Sequence, residues 1–302
     1  TTRSPMTINN TPAMEQTTRK TEEGASEGTV SLNIPGVDAQ AVAPEQNEVP
    51  AGAKQQQAQR PAEDLVWIDT PGIGQRGGII IKNLRLSIKN GEFVYLIGKT
   101  GSGKSTLLRL LYGDVPLTSG VGRVAGFDLR RLDEESIPYL RRRLGIVFQD
   151  FQLLSDRNVY QNLAFVLRAT GWRDETKIKE RILEVLRNVG MQGTQDKFTY
   201  ELSGGEQQRI ALARAMAVEP AILVLDDTTS AVDMETEKYI QNSLKNLDFE
   251  CTKIIIAQRI SSTKNADKII ILNNGSIEDI GTHEELIAKH GYYREVYDLQ
   301  TN

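Results

Sequence analysis

The run Gly98-Lys99-Thr100-Gly101-Ser102-Gly103-Lys104-Ser105 constrains this chain more than any other, because it is a complete G-x4-G-K-S phosphate-binding loop. The apolar run Phe93-Val94-Tyr95-Leu96-Ile97 precedes it, and helix-prone Thr106-Leu107-Leu108-Arg109-Leu110-Leu111 follows. That is the strand–loop–helix setting the motif needs. Gly98, Gly101 and Gly103 let the backbone curl so that successive N–H groups converge on phosphate oxygens. A helix beginning near Lys104 adds its positive dipole end. Lys104 is expected to reach the β- and γ-phosphates and the Ser105 hydroxyl to ligate Mg2+. The residues Gly98 to Thr106, with Lys99, Thr100 and Ser102 among them, are therefore the expected nucleotide-binding set.

At 302 residues the chain is long enough to bury a sizeable core in one or two domains. Its net charge of −4 gives no global field that favours nucleic acid, so none is expected as a partner. The single cysteine, Cys251, excludes an intramolecular disulfide framework and fits a reducing cytosol. No signal peptide is read, and the longest aliphatic runs fall far short of the ~20 residues that span a bilayer. Any membrane association is expected to come through a partner.

Residues 1–62 are rich in Thr, Glu, Gln, Ala and Pro with only scattered apolar residues, and include Gln55-Gln56-Gln57. Such a segment buries too little to offset its ordering entropy, so it is expected to be a disordered tail ahead of a domain at 63–302. From about Lys82 apolar strands alternate with amphipathic helices. Ile222-Leu223-Val224-Leu225, Ile254-Ile255-Ile256-Ala257 and Ile269-Ile270-Ile271-Leu272 are apolar at consecutive positions, as strands buried on both faces are. Asn274-Gly275 reads as a hairpin turn. Thr282-His283-Glu284-Glu285 reads as a capping box that opens a C-terminal helix. The expected fold is α/β, with a mainly parallel sheet.

Two further segments carry chemistry. The strand Ile222–Leu225 ends in a carboxylate, Asp226, placed as the Mg2+-supporting aspartate of a P-loop ATPase is. About 20 residues earlier stands Leu202-Ser203-Gly204-Gly205-Glu206-Gln207-Gln208-Arg209, with Ser203 and Glu206 spaced as a capping box. Capping alone would explain that spacing. A second anion-binding helix terminus, aimed at a γ-phosphate, would explain it as well.

Together these residues resemble an ATP-binding-cassette (ABC) ATPase over roughly residues 80–302. Gly98 to Ser105 match the Walker A loop, Gln149 in Val147-Phe148-Gln149-Asp150 the Q-loop, and Leu202 to Glu206 the signature. Asp226 closes Walker B, and Ser230-Ala231-Val232-Asp233 match the D-loop. The resemblance implies a P-loop NTPase core with antiparallel β elements and an inserted helical subdomain at about 150–215. It implies ATP and Mg2+ as ligands, with Ser105, Gln149 and Asp226 around the metal. It also implies a head-to-tail homo- or heterodimer in which Ser203, Gly204, Gly205, Glu206 and Asp233 of one subunit face the ATP of the other. The implied partner is an integral-membrane subunit, FtsX-like or exporter-like, which would place the chain on the cytoplasmic face of the cell membrane. Residues 88–210 are more similar to the cell-division ATPases of the FtsE type and their lipoprotein-exporter relatives. After about Met216, Thr228 to Asp233 and Gly281 to Leu286 are more similar to ABC exporters.

Three positions depart from the family's pattern. The glutamate that orients the attacking water is replaced by Asp227, and the switch histidine by Gln258. Both substitutions resemble the degenerate site of heterodimeric exporters. Aspartate is one methylene shorter, and a misplacement of about 1 Å can cost on the order of 100-fold in rate. No aromatic residue precedes Ile79 where the family stacks adenine; Trp67 is the nearest candidate, with a buried packing role as its alternative.

Other features read plainly. Asp69-Thr70-Pro71-Gly72 mimics a GTPase element but precedes the phosphate loop, the wrong order. Arg141-Arg142-Arg143 is expected to be a solvated helix face, and neither His283 nor His290 has metal-ligand spacing. Asn158 to Ala169 are expected to form an amphipathic helix near the place where the family docks a membrane subunit. Two functions follow: an ATPase subunit driving a membrane partner, or a slowly hydrolysing dimerisation switch.

Overall fold

The computed structural model describes residues 64–75, 78–226, 234–257 and 260–301. Residues 1–62, Asp227, the stretch 230–233 with Asp233, and Gln258 lie outside the described residues. The chain opens with β1 (Asp64–Gln75), β2 (Gly78–Lys89) and β3 (Phe93–Ile97), then α1 (Lys104–Leu111). The short strands β4 (Val121–Val124) and β5 (Phe127–Asp128) follow, then α2 (Ile137–Arg142) and β6 (Leu144–Val147). Three helices come next: α3 (Val159–Ala169), α4 (Glu175–Asn188) and α5 (Gly204–Ala217). The remainder is β7 (Ile222–Asp226), α6 (Met234–Lys245), β8 (Thr252–Ala257), β9 (Lys268–Asn273), β10 (Ser276–Gly281), α7 (His283–Ala288) and α8 (Tyr292–Thr301).

Two sheets form. One is antiparallel in the order β2-β1-β4-β5; the other has the order β10-β9-β3-β8-β7-β6. In the second sheet β9, β3, β8, β7 and β6 are parallel and β10 is an antiparallel edge strand. The consecutively apolar strands occupy its middle. Their alternation in fact sorts side chains onto two cores. Val94, Leu96, Val224, Ile254, Ile256 and Ile270 pack toward α1 and the antiparallel sheet. Tyr95, Ile97, Leu225, Ile255, Ala257 and Ile271 pack on the opposite side, with α3, α4 and α5. Both faces are buried, so no polar alternation survives in the sequence. In β2 only Leu84, Leu86 and Ile88 alternate inward, the pattern of a strand with one wet face.

Asn274 and Gly275 have φ of 48° and 77°, both left-handed, and join β9 to β10 as the tight turn expected. Asp69 to Gly72 lie inside β1, with Thr70 buried. The C-terminal helix read from the capping box is two helices. The box at Thr282 and Glu285 is present, but the chain turns extended at Lys289 and restarts as α8. Arg141, Arg142 and Arg143 are exposed, as expected of a solvated face.

Candidate nucleotide site

Because five neighbouring strands run parallel, their C-terminal ends share one edge, where open α/β sheets bind ligands. Gly98 follows β3, Asp226 ends β7, and Gln149 lies two residues beyond β6. Asp226 is two strands from the base of the loop, about 10 Å at the usual strand spacing, and Gln149 one strand farther. The topology thus gathers residues that are far apart in sequence.

Gly98 cannot carry a side chain, because a Cβ there would collide with the Leu272 carbonyl of β9. Ser102 N donates to the Lys99 carbonyl at 3.1 Å, and the Lys104 ammonium donates to the carbonyls of Gly98 at 2.6 Å and Lys99 at 2.9 Å. Gly103, at φ 107°, turns the chain into α1 and leaves that helix without a side-chain cap. The positive dipole end of α1 therefore lies at the loop. The hairpin after β9 supports the loop from below: Gly275 N donates to the Ser102 carbonyl at 3.1 Å, and Lys82 N donates to the Gly275 carbonyl at 2.6 Å. Lys99, Thr100, Gly101 and Ser105 are exposed, whereas Gly98, Ser102, Gly103 and Thr106 are buried. The loop is thus a glycine-walled turn held by its own backbone carbonyls, Lys104 and the β9–β10 hairpin.

The oxygen donors at the same edge suit a hard cation. Ser105, Gln149 and Asp226 offer a hydroxyl, an amide carbonyl and a carboxylate, the donor types that Mg2+ takes together with nucleotide phosphates.

At the signature, Ser203 Oγ accepts from Glu206 N at 3.3 Å while Ser203 N donates to Glu206 Oε2 at 2.8 Å. The capping box is complete. The backbone hydrogen bond from Ser203 holds the Glu206 carboxyl below its usual range. Ser203 and Gly204 are exposed at the tip of α5, and nothing would obstruct a Cβ at Gly204. Two residues before Leu202, Tyr200 is 73% exposed and stacks on Phe198 with ring centroids 5.4 Å apart.

The chain after Gln149 bends sharply. Phe151 and Gln152 have φ of 57° and 46°, consecutive left-handed residues that are not glycine. Each costs roughly 1–2 kcal/mol relative to ordinary backbone. Arg214 of α5 spans the bend, donating to the Phe151 carbonyl at 2.8 Å and the Gln152 carbonyl at 2.5 Å. Burial lowers the Arg214 pKa from its ordinary value, with Asp150 opposing. Sequence reading missed this residue. Its signal was a guanidinium set among the apolar residues Leu212-Ala213 and Ala215-Met216.

The C-terminal helices reach the same edge. Lys99 Nζ sits 5.6 Å from the centroid of Tyr292. Tyr293 Oη lies 2.7 Å from Thr263 Oγ1 and 2.6 Å from His283 Nδ1, and Ile260 N donates to Gln300 Oε1 at 2.8 Å. The chain two residues beyond position 258 is therefore anchored by α8. His283 pairs with a tyrosine, and no metal-binding group of His, Cys, Asp or Glu occurs among the described residues.

Trp67 does not serve as the missing aromatic. It is half-buried on β1 and pairs with Ser87, six residues along β2 from Ile81, the residue against Gly103. Six strand residues amount to ~20 Å.

A phosphate loop at the carboxyl edge of a parallel sheet, with a strand-ending aspartate two strands away, defines a P-loop nucleoside triphosphatase. The comparisons narrow the class. Residues 81–230 match the family described as ABC transporter. The chain is 37% identical over 218 residues to the cell division ATP-binding protein FtsE of Streptococcus pneumoniae serotype 2, covering 72% of this chain and 93% of that protein. It is also 37% identical over 235 residues to the alpha-hemolysin translocation ATP-binding protein HlyB of Escherichia coli O157:H7, covering 74% of this chain and 32% of that one. Among solved structures, the dimeric ATP-binding cassette MJ0796 bound to ADP and Pi matches with a TM-score of 0.66 at 31% identity, covering 72% of this chain and 98% of that one. The chain belongs to the ABC transporter ATP-binding family, and it is a P-loop ATPase. The cell-division relative and the hemolysin-translocation relative each match about three quarters of this chain.

Proposed function

We propose that the protein is the nucleotide-binding subunit of a membrane complex, in which ATP binding closes a head-to-tail dimer and hydrolysis reopens it. The observation that carries this reading is the uncapped start of α1 beside Lys104, on the same strand edge as Asp226. Lys104 and the N–H groups of Gly98 to Thr106 bind the phosphates. Ser105, Gln149 and Asp226 would hold Mg2+, which when bound neutralises charge that develops on phosphate oxygens. Asp227 orients the attacking water and Gln258 contacts the γ-phosphate. Ser203, Gly204, Gly205, Glu206 and Asp233 complete the site of the opposite subunit.

No helix among the described residues is long and apolar enough to cross a membrane. An FtsX-like or exporter-like subunit is the partner that the relatives suggest, and it would hold this chain at the inner face of the cell membrane. Its docking place is an open groove of about 410 Å3 lined by Asp156, Arg157, Gln161, Phe165 and Arg168. There Phe165 is 46% exposed and Arg157 lies 4.6 Å from its ring centroid. An exposed aromatic beside arginines is what interfaces favour.

A second reading is carried by Asp227 and Gln258: an ATP-clamped dimerisation switch with slow turnover, the non-catalytic half of a heterodimer. Turnover by the purified protein, measured beside ATP-dependent dimerisation, separates the two. Brisk release of phosphate supports the first; dimerisation with ATP and little phosphate release supports the second.

A further inference from the structure

The bend after Gln149 and the helix that starts at the signature meet at one side chain. Phe151 and Gln152 hold left-handed backbone with no glycine to favour it, so the surrounding structure must impose it. The turn supplies only part of that, through Phe151 N to the Phe148 carbonyl at 3.0 Å and Gln152 N to the Asp150 carbonyl at 2.6 Å. Both outward carbonyls, of Phe151 and Gln152, are taken by the planar fork of Arg214. A guanidinium is suited to this, since two donors in a fixed plane address two acceptors with little further entropy lost. Asp150, next in the chain, adds a charge to the same place. Arg214 stands ten residues into α5 from Gly204, about 15 Å along a continuous helix whose tip carries Ser203.

We propose that Arg214 is a positioning residue that makes α5 and the bend after Gln149 one mechanical unit. The Gln149 amide and the signature at the tip of α5 then move together. Arg214 touches neither nucleotide nor metal; it acts on the metal site through Gln149. The inference deepens the reading above and rests on Gln149 as a metal ligand.

The test compares the full-length protein with Arg214→Lys, which keeps the charge but cannot fork, and with Arg214→Met, which removes the donors. Three quantities are read: ATP affinity with and without Mg2+ by calorimetry, amide exchange of residues 149–154, and kcat against KM. In Arg214→Lys, Mg2+ should strengthen ATP binding ~10-fold less than in the original protein, with metal-free affinity unchanged. Exchange should rise in 149–154 while the thermal midpoint holds, and kcat should fall with KM unchanged. Should Arg214→Met fail to fold, Arg214→Lys alone decides. Unchanged Mg2+ dependence overturns the proposal, as does a rise in exchange across the whole chain with a lowered midpoint, the mark of a merely structural role. Gln149→Ala separates the two levels. If that variant leaves the Mg2+ dependence intact, Gln149 is not a metal ligand and the inference falls with that reading. If Gln149→Ala weakens it and Arg214→Lys does not, the inference alone falls. If Arg214→Lys still weakens it when added to Gln149→Ala, Arg214 acts by another route and the proposal is wrong.

Discussion

The Lys104 ammonium donates to the carbonyl of Gly98 at 2.6 Å, closing the phosphate loop across its mouth. In the proposed function, this ammonium is the charge that meets the β- and γ-phosphates. Lys104→Ala should therefore weaken ATP binding at least ~10-fold, as loss of a charge-assisted contact does. Calorimetry with Mg2+ checks this, and unchanged affinity would mean that the ammonium does not reach the phosphates.

Ser203 lies exposed at the tip of α5, where a bulky charge has room and costs only the Oγ half of the capping box. Ser203→Arg should abolish ATP-dependent dimerisation while leaving the monomer's ATP affinity nearly intact. Light scattering and nucleotide titration on the same sample measure both. Loss of affinity together with dimerisation would place the signature in its own subunit's site.

Acid should loosen the signature helix. The Ser203 backbone N–H holds the Glu206 carboxyl below its usual range. A lowered acid contributes stability that is present above the unfolded pKa and lost as pH falls through the lower folded value. Glu206 is only half-buried, so solvent screens the effect and its size is small. Glu206→Gln should flatten the acid limb of the thermal midpoint and change little at neutral pH. An acid limb identical in both proteins would count against it.

The pair Asp227 and Gln258 sets the turnover in the proposed site. A shortened carboxylate orients water poorly, and general-base contributions run to ~10²–10⁴-fold. Asp227→Glu with Gln258→His should raise the maximal rate ~10-fold or more, about 1.4 kcal/mol on the barrier, with KM little changed. The single changes should be non-additive, since both address one water and one phosphate. Brisk turnover before the change and none gained after it would end the degenerate-site reading.

Removal of residues 1–62 should leave the thermal midpoint within ~5 °C, because their composition offers little to pack. A larger fall in a melting experiment would show that the tail contributes to the core.

Elements that depend on near neighbours in the chain are legible in the sequence. The loop from Gly98 to Ser105, the capping boxes at Ser203 and Thr282, and the turn at Asn274-Gly275 are each written within a few residues. So are the four apolar strands that fill the middle of the parallel sheet, because burial on both faces leaves a run that no surface strand can afford. What depends on residues distant in the chain emerges only on folding. Arg214 meets Phe151 and Gln152 more than 60 positions away, and its partners are backbone carbonyls, which leave no mark in the sequence. The register of β1 against β2 carried Trp67 away from the loop, a matter of strand pairing that an aromatic's place in the sequence does not report. The break at Lys289, beside Gly291, lets Tyr293 reach Thr263 and His283 at once, a pairing of distant residues that a single straight helix from Thr282 would prevent.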